Sequence, residues 1–324
     1  MNAKIYVHRY TLKSRLGLNS RSHALEHEGA LLRVDKDGVS GYACLHPWEE
    51  LGDLSLAELL KQLFEGRSSR QVNCALECAD IDREARKAGV SLFENLKIPL
   101  SHATIVGGIE KVEQAVGLGF DSVKLKMGKD VESNILFLKS INEEFPELRI
   151  RIDFNGVSNL GDLDIMLCKI GDEACSQLDF IEDPLPRSDN RWSTIRDKYG
   201  VSIAIDRGGY QATGEFDVSV VKPAIDPIEG ICNSAKLSGR SVVVTSYMDH
   251  PIGQRYAAYT AAKLSSQYVG LVNDRCGLVT HGLYRGEDFI ERMGEVSPVL
   301  TIESNTSGLG FDDLLVKIDW EKLK

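Results

Sequence analysis

Hydrophobic and polar residues alternate with a period of two in the first part of the chain. The alternation covers residues 4–12 and 30–44, and the sequence DKDG supplies a tight turn inside the second of these ranges. Such a pattern predicts antiparallel strands with one buried face. Helical patterns follow at 55–66 and 71–89, and each ends at a glycine. Residues 1–95 are therefore predicted to form an α+β unit.

From residue 96 onward, short β-branched runs alternate with amphipathic helices. This order is typical of βα units around a parallel sheet. Eight runs qualify as strands, which is the number in a closed (β/α)₈ barrel: IPLSHATI, SVKLKMG, LRIRIDFNG, LDFIEDPLP, VSIAIDRG, VSVVKPA, SVVVTSYMD and YVGLVND. The clear helical patterns between them lie at 108–117, 131–144, 160–174, 190–199, 228–238 and 251–266.

Two segments depart from this repeating pattern. Only the sequence GYQATGEF separates the fifth and sixth strands, so the helix between them is predicted to be curtailed. Residues 301–324 contain no further βα unit and are predicted to return toward the N-terminal unit. The sequence thus predicts an α/β fold in which a barrel at 96–300 follows the α+β unit at 1–95.

Ionisable residues occur near the C-terminal end of each barrel strand from the second to the sixth. In a barrel of this kind those strand ends meet at one mouth, where active sites lie. Six side chains that are far apart in the chain are therefore predicted to converge on one site. They are Lys124, Lys126, Asp153, Glu182, Asp206 and Lys222.

Three of these six residues are acids, and they predict a metal site. Carboxylates that share a partly dry site repel one another unless a cation lies among them. An oxygen-only ligand set favours Mg²⁺, with Mn²⁺ as a possible substitute. Asp153, Glu182 and Asp206 are the predicted ligands, and Asn155 is predicted to support a ligand or a metal-bound water.

The lysines predict removal of a proton next to a carboxylate. Lys124 and Lys126 share one face of their strand, because side chains alternate along it. A carbon acid of this kind needs a metal and a base that is partly neutral near pH 7. Lys126 is the predicted base, and Lys124 is predicted to be the neighbouring cation that disfavours its charged form. Lys222 is predicted on the opposite side of the bound carboxylate.

The motifs KLK, DFN, EDP and VKP, in this order and spacing and with Asp206 between the last two, resemble the enolase superfamily and its muconate-lactonizing subgroup. The resemblance implies a TIM-like barrel of the modified (β/α)₇β type with an N-terminal α+β capping domain. Within that subgroup, the compact length, Arg151 before the metal aspartate and the sequence TSYMDHPIG are similar to the dehydratase family that forms o-succinylbenzoate.

This resemblance also implies roles for individual residues. Lys126 is expected to remove the α-proton and then to protonate the departing hydroxyl, and Lys222 is expected to stabilise the enediolate from the other face. Arg151 is expected to support the site. Ser246 and Asp249 are candidate residues of the substrate pocket, although a hydrogen-bonded turn before the next helix explains them equally well.

Composition limits the partners of the protein. A net charge of −10 argues against a nucleic-acid partner, which normally requires a basic surface. No apolar run reaches the roughly 18 residues of a membrane span, so neither membrane insertion nor export is expected, and the expected location is the cytoplasm. The expected partner is a small-molecule carboxylate, bound by a monomer or a homodimer.

Other functions remain open from the sequence alone. A racemase or epimerase of the same superfamily, such as an N-succinylamino acid racemase, also needs a lysine on each face of its substrate, and a cycloisomerase is a further possibility. A non-catalytic metal-binding barrel is the alternative outside the enzymes. Residues 13–29 are polar and have the composition of a lid, in which Arg15 or Arg21 would attract a second substrate carboxylate; an ordinary solvated loop explains the same composition.

Overall fold

A computed structural model describes residues 3–18, 24–207 and 216–324. Its strands are β1 (Lys4–Lys13), β2 (Glu26–Lys36), β3 (Val39–Leu45), β4 (Leu100–Ser101), β5 (Ala103–Ile105), β6 (Ser122–Lys126), β7 (Arg149–Asp153), β8 (Leu178–Glu182), β9 (Ile203–Ile205), β10 (Val218–Val221), β11 (Ser241–Val244), β12 (Arg275–Cys276) and β13 (Glu321–Lys322). Its helices are α1 (Leu56–Glu65), α2 (Arg70–Ala88), α3 (Ile109–Gly117), α4 (Val131–Glu144), α5 (Leu160–Ser176), α6 (Trp192–Tyr199), α7 (Ile228–Leu237), α8 (Pro251–Gln267), α9 (Asp288–Arg292) and α10 (Asp312–Leu315). None of the helices in these ranges is long and apolar enough to cross a membrane.

The N-terminal sheet is antiparallel and has the order β13-β1-β2-β3. Asp37 and Gly38 have positive φ angles at the turn between β2 and β3, as the sequence DKDG predicts. The side chain of Ser55 accepts a hydrogen bond from the backbone N–H of Glu58 and so caps α1. The last strand of the sheet, β13, comes from the C-terminal segment and pairs with β1.

Seven parallel strands form the main barrel sheet in the order β11-β10-β9-β8-β7-β6-β5. The first predicted barrel strand is divided, because β5 pairs with β6 whereas β4 pairs with β12. Single bridges from Val242 to Val272 and from Thr245 to Gly277 connect β11 to the segment around β12. Together these contacts bring the two edges of the sheet into a TIM-like barrel, with the antiparallel sheet as its cap.

The sequence placed the eighth strand at YVGLVND, and that prediction was wrong in position. Residues 268–271 instead form a turn, in which Leu271 N–H donates to Tyr268 O and Gly270 has a φ of +80°. Only Val272 of the predicted run makes a strand bridge, and the paired strand begins at Arg275. The curtailed fifth helix was predicted in a segment, 208–215, that lies outside the described residues.

The barrel interior is apolar on one side and polar on the other. Buried apolar side chains of β8 to β11 pack together there, namely Phe180, Ala204, Val218, Val220 and Val243. On the side of β5 to β7 the interior contains His102, Lys124 and Arg151, all of them buried. On β6 the alternate residues Val123 and Leu125 join the outer core between the sheet and the helices. The polar side of the interior leads to the candidate site.

Candidate active site

A cavity of about 540 Å³ lies at the C-terminal ends of the barrel strands. Trp48 and Leu51 of the capping unit contribute to its wall, and the barrel contributes the rest. Most of the site residues expected from the sequence line this cavity: Lys124, Lys126, Asp153, Asn155, Asp206, Lys222 and Ser246. Glu182 does not line the cavity. It is fully buried and accepts a hydrogen bond from Lys124, so it lies beside the residues that do.

Lys124 joins two of the three predicted metal ligands. Its ammonium group donates to both carboxylate oxygens of Glu182, at 2.6 and 2.7 Å, and lies 3.1 Å from Oδ2 of Asp153. Burial alone would lower the pKa of Lys124, but the charges of Asp153 and Glu182 outweigh burial and raise it above its ordinary value. Lys124 is therefore a fixed cation at the base of the cavity.

The carboxylates of this cluster differ in how easily they ionise. Burial raises the pKa of Glu182, and the charges of Asp153 and Asp206 raise it further, against the opposing effect of Lys124. For Asp153, burial is outweighed by Lys124 and Lys126, and the pKa is lowered. The backbone N–H of Asn155 also donates to Oδ1 of Asp153 at 3.0 Å. Asn155 thus contacts the predicted ligand through its backbone, which has a φ of +50°.

Lys222 and Lys126 lie on opposite sides of the acidic cluster. Lys222 follows β10, and its ammonium group contacts Oδ1 of Asp206. Lys126 ends β6, which is separated from β10 by three strands of the sheet, and its Nζ lies 3.7 Å from Oδ2 of Asp153. The side chain of Lys126 is 23% exposed, so it is the more accessible of the two. A substrate in the cavity would meet an amine from each side.

The backbone around Asp206 is held by several groups that the sequence did not indicate. The N–H of Arg207 donates to Oδ1 of Asp206 at 2.8 Å, and the N–H of Asp206 donates to Asp183. Arg187 donates to the backbone carbonyls of both Asp206 and Arg207. Asp183 is the second residue of the EDP motif, although no role was predicted for it, and Arg207 directly follows Asp206. Their positions beside predicted ligands were the signal that the sequence offered.

Arg151 lies below the acidic cluster in the barrel interior and is fully buried. Its guanidinium contacts Asp179 at 2.8 Å, Nδ1 of His102 at 2.8 Å and Oδ1 of Asn273 at 3.0 Å. Burial, and then the charge of Arg151, lower the pKa of His102. Arg151, on β7, therefore connects β8, the residue between β4 and β5, and the segment before β12. Its supporting role for the site stays a prediction.

Replacing Arg151 with methionine is expected to lower the free energy of unfolding by about 3 kcal/mol. The change would leave Asp179, His102 and Asn273 without the buried guanidinium that they contact. Urea denaturation measures this change. Arg149→Met is the matched control, since Arg149 lies on the same strand and forms an ion pair with Asp274 at 3.5 Å in which both side chains are about half exposed. Its loss is expected to stay below about 1 kcal/mol. Equal losses in the two variants would contradict a structural role for Arg151.

Ser246 and Asp249 occupy different places, although the sequence suggested both for the pocket. Ser246 lines the cavity, and its hydroxyl lies 2.8 Å from that of Thr280. Asp249 is not among the lining residues. Its carboxyl group is buried at the junction with the capping unit, 3.9 Å from the Cys44 thiol. The chain turns at Met248, which has a φ of +51°, and this turn separates the two side chains.

Asp249 is expected to make the stability of the folded protein depend on pH. Burial raises its pKa to about 7. Because the unfolded chain ionises near the ordinary value, the folded state loses stability as the pH rises from about 4 through about 7, by up to about 4 kcal/mol. The stability of Asp249→Asn relative to the wild type is therefore expected to be higher at pH 8 than at pH 4.5. Thermal unfolding at both values checks this, with the exposed Asp197→Asn as control; an equal effect of Asp249→Asn at both pH values would contradict it.

The arginines of the predicted lid do not line this cavity in the described residues. Arg15 donates from Nε to the Tyr284 carbonyl at 3.1 Å and contributes to a neighbouring cavity of about 620 Å³ between the cap and β5. Arg21 lies outside the described residues. The lid interpretation of residues 13–29 stays a prediction.

The donor set of the cluster fits a divalent cation. Asp153 and Glu182 are buried, Asp206 is partly buried, and the three carboxylates lie at the ends of three adjacent strands. Burial together with mutual repulsion raises the pKa of Glu182. Among the described residues, no three acids, thiols or imidazoles already surround a common point. The ammonium groups of Lys124 and Lys222 instead contact these carboxylates. Oxygen ligands of this kind suit Mg²⁺ better than softer metals.

Comparisons with known proteins agree with this architecture. Residues 5–85 match the model of the O-succinylbenzoate synthase N-terminal domain, and residues 109–228 match that of the enolase C-terminal domain-like family. An o-succinylbenzoate synthase of Bdellovibrio bacteriovorus is 32% identical over 335 aligned positions, which cover 99% of each chain.

Solved structures resemble the whole fold at lower identity. A dipeptide epimerase of Enterococcus faecalis V583, complexed with Mg and the dipeptide L-Leu-L-Tyr, has a TM-score of 0.79 at 19% identity and covers 96% of this chain and 99% of its own. An N-succinyl Arg/Lys racemase of Bacillus cereus has a TM-score of 0.80 at 15% identity and covers 100% of both chains. These two likenesses establish the capped barrel.

Proposed function

Because the chain belongs to the o-succinylbenzoate synthase family of the enolase superfamily, we propose that it catalyses the Mg²⁺-dependent syn-dehydration of 2-succinyl-6-hydroxy-2,4-cyclohexadiene-1-carboxylate to o-succinylbenzoate, a step of menaquinone biosynthesis. The observation that carries the proposal is the placement of Lys126 and Lys222 on opposite sides of one acidic cluster inside one cavity. A structural metal site requires no such pair of amines.

In the proposed reaction, Asp153, Glu182 and Asp206 hold the cation. The bound Mg²⁺ would stabilise the negative charge that develops on the substrate carboxylate when the α-proton leaves. Lys124 and Lys222 add fixed positive charge, and Lys222 faces the reacting carbon from the side away from Lys126. A site with this much positive charge favours an anionic substrate.

Lys126 is the proposed base and then the proposed acid. Its neutral amine takes the proton from C1, and the electron pair left on C1 forms the enediolate. The resulting ammonium then donates that proton to the hydroxyl at C6, the C–O bond breaks, and water leaves as the ring becomes aromatic. One residue serves both transfers, so the proton and the hydroxyl leave from the same face.

The test is the loss of cyclohexadiene absorbance when the purified protein meets this substrate. We expect rapid loss with Mg²⁺ and only the background rate with EDTA. If the protein with Mg²⁺ is no faster than the EDTA control, the synthase proposal fails.

A racemase is the second candidate, since an amine on each side of the cluster also suits proton removal from one face and return to the other. The likeness to the N-succinyl Arg/Lys racemase is one of fold. N-succinylamino acids in deuterium oxide test it, because a racemase exchanges the α-proton for deuterium during inversion. A non-catalytic metal-binding barrel would bind Mg²⁺ and change neither substrate.

A further inference from the structure

Arg207 brings a guanidinium group to the part of the cavity that faces the capping unit. Its backbone φ is +43°, a left-handed conformation that turns the residue away from the direction of β9. Nη1 donates to the carbonyl of Leu51 at 3.0 Å and to Oδ1 of Asp53 at 3.3 Å. Arg207 thus lines the cavity while its side chain is attached to the cap.

The guanidinium is also held from the barrel side. Its carbon lies 5.0 Å from the centre of the Tyr247 ring, and the hydroxyl of Tyr247 donates to Oδ2 of Asp53 at 2.6 Å. The side chain of Arg207 is only 23% exposed. A group fixed by contacts on two sides loses little further freedom when it binds a ligand.

Asp53 only partly neutralises Arg207. Its carboxylate also accepts the backbone N–H of Trp48 at 2.8 Å and the amide of Gln71 at 3.1 Å, besides the hydroxyl of Tyr247. Its negative charge is therefore shared among four donors. Nη2 of Arg207 is buried and has no hydrogen-bond partner within the part of the chain that the structure describes. A buried guanidinium donor without an acceptor is unfavourable, and an anionic ligand would satisfy it.

We propose that Arg207 binds the second carboxylate of a dicarboxylate substrate, on the cap side of the cavity and away from the carboxylate that reacts. The inference rests on the proposed function, whose substrate has one carboxylate on the ring and another at the end of its succinyl chain. Lys126 and Lys222 contact the acidic cluster at the strand ends, and Arg187, which also lines the cavity, donates to the backbone carbonyls of Asp206 and Arg207. Arg207 differs from them in that its buried Nη2 has no acceptor within the described residues, so we assign it to the far end of the molecule. A guanidinium suits this task, because its planar donors match a carboxylate.

Binding of the product tests this assignment without relying on turnover. Titration calorimetry of the Mg²⁺-loaded protein compares o-succinylbenzoate with 2-butanoylbenzoate, which has the same chain length but no terminal carboxylate. We expect Arg207→Met to weaken binding of o-succinylbenzoate by about 10- to 100-fold, as for loss of a charged hydrogen bond, and to change that of 2-butanoylbenzoate by less than about 3-fold. Arg207→Lys should restore part of the preference. The matched control is Arg191→Met, since Arg191 is exposed and lies outside the cavity, where it forms an ion pair with Asp189.

The outcomes separate the two proposals. The assignment is supported if Arg207→Met loses the preference for the dicarboxylate while Arg191→Met keeps it. A preference that survives in Arg207→Met, or an equal loss of affinity for both ligands, overturns it and leaves the proposed function standing. Wild-type protein that binds neither ligand and does not convert the cyclohexadiene overturns the proposed function, and the assignment of Arg207 falls with it.

Discussion

Lys126→Ala is expected to lower kcat for the dehydration by at least about 1,000-fold while KM changes little, because the variant loses both the base and the acid of the proposed reaction. The thermal midpoint should stay close to that of the wild type. The side chain of Lys126 is partly exposed, and its ion pair with Asp153 is long, at 3.7 Å. Loss of cyclohexadiene absorbance measures the rate.

Lys129→Ala is the matched control for this variant. Lys129 lies three residues further along, after the end of β6, and is exposed. Its replacement should leave kcat within about 2-fold, as for other surface changes. If Lys126→Ala retains more than a tenth of the wild-type rate, another group removes the proton and the assignment of Lys126 is wrong.

Glu182→Gln is expected to abolish the effect of Mg²⁺ on both activity and stability. A ligand that binds only the folded protein stabilises it by about 2.7 kcal/mol at 100 times its Kd, so Mg²⁺ should raise the thermal midpoint of the wild type by a few degrees. In Glu182→Gln the site loses a buried carboxylate on its central strand, β8. The midpoint should then not respond to Mg²⁺, and kcat should fall by about 1,000-fold or more.

The control for the metal site is Glu132→Gln, since Glu132 is 81% exposed and belongs to an unrelated surface pair. It should keep both the Mg²⁺ shift and the activity of the wild type. A Mg²⁺ shift that persists in Glu182→Gln at the same concentrations would contradict Glu182 as a ligand, whatever happens to the rate.

The part of the site that could be predicted from the sequence is the part that strand periodicity determines. Because side chains alternate along β6, Lys124 and Lys126 had to share a face, and the structure places both in the barrel interior. Parallel strands in sequence order likewise bring Asp153 and Asp206 to the same end of the sheet. Their roles in binding and catalysis stay predictions.

The contacts between the cap and the barrel could not be predicted in this way. Arg207 meets Asp53 across 154 positions of the chain, and Asp249 meets Cys44 across 205. Both contacts depend on how the capping unit packs against the barrel. The hydrophobic periodicity within each unit carries no information about that packing. The eighth strand was misplaced for a related reason, since its pairing with β4 closes the barrel over a long separation and needs only two residues.

The pairing of β13 with β1 has a consequence for how the protein folds. Lys322 lies beside Tyr6, and the N–H of Leu309 donates to the buried carboxylate of Asp82 at 2.6 Å. During synthesis, the strands and helices of the first 95 residues emerge long before these partners do. Contacts between such distant segments form slowly, because a long loop must close first. The first unit to leave the ribosome is thus expected to be among the last to gain its full protection against hydrogen exchange.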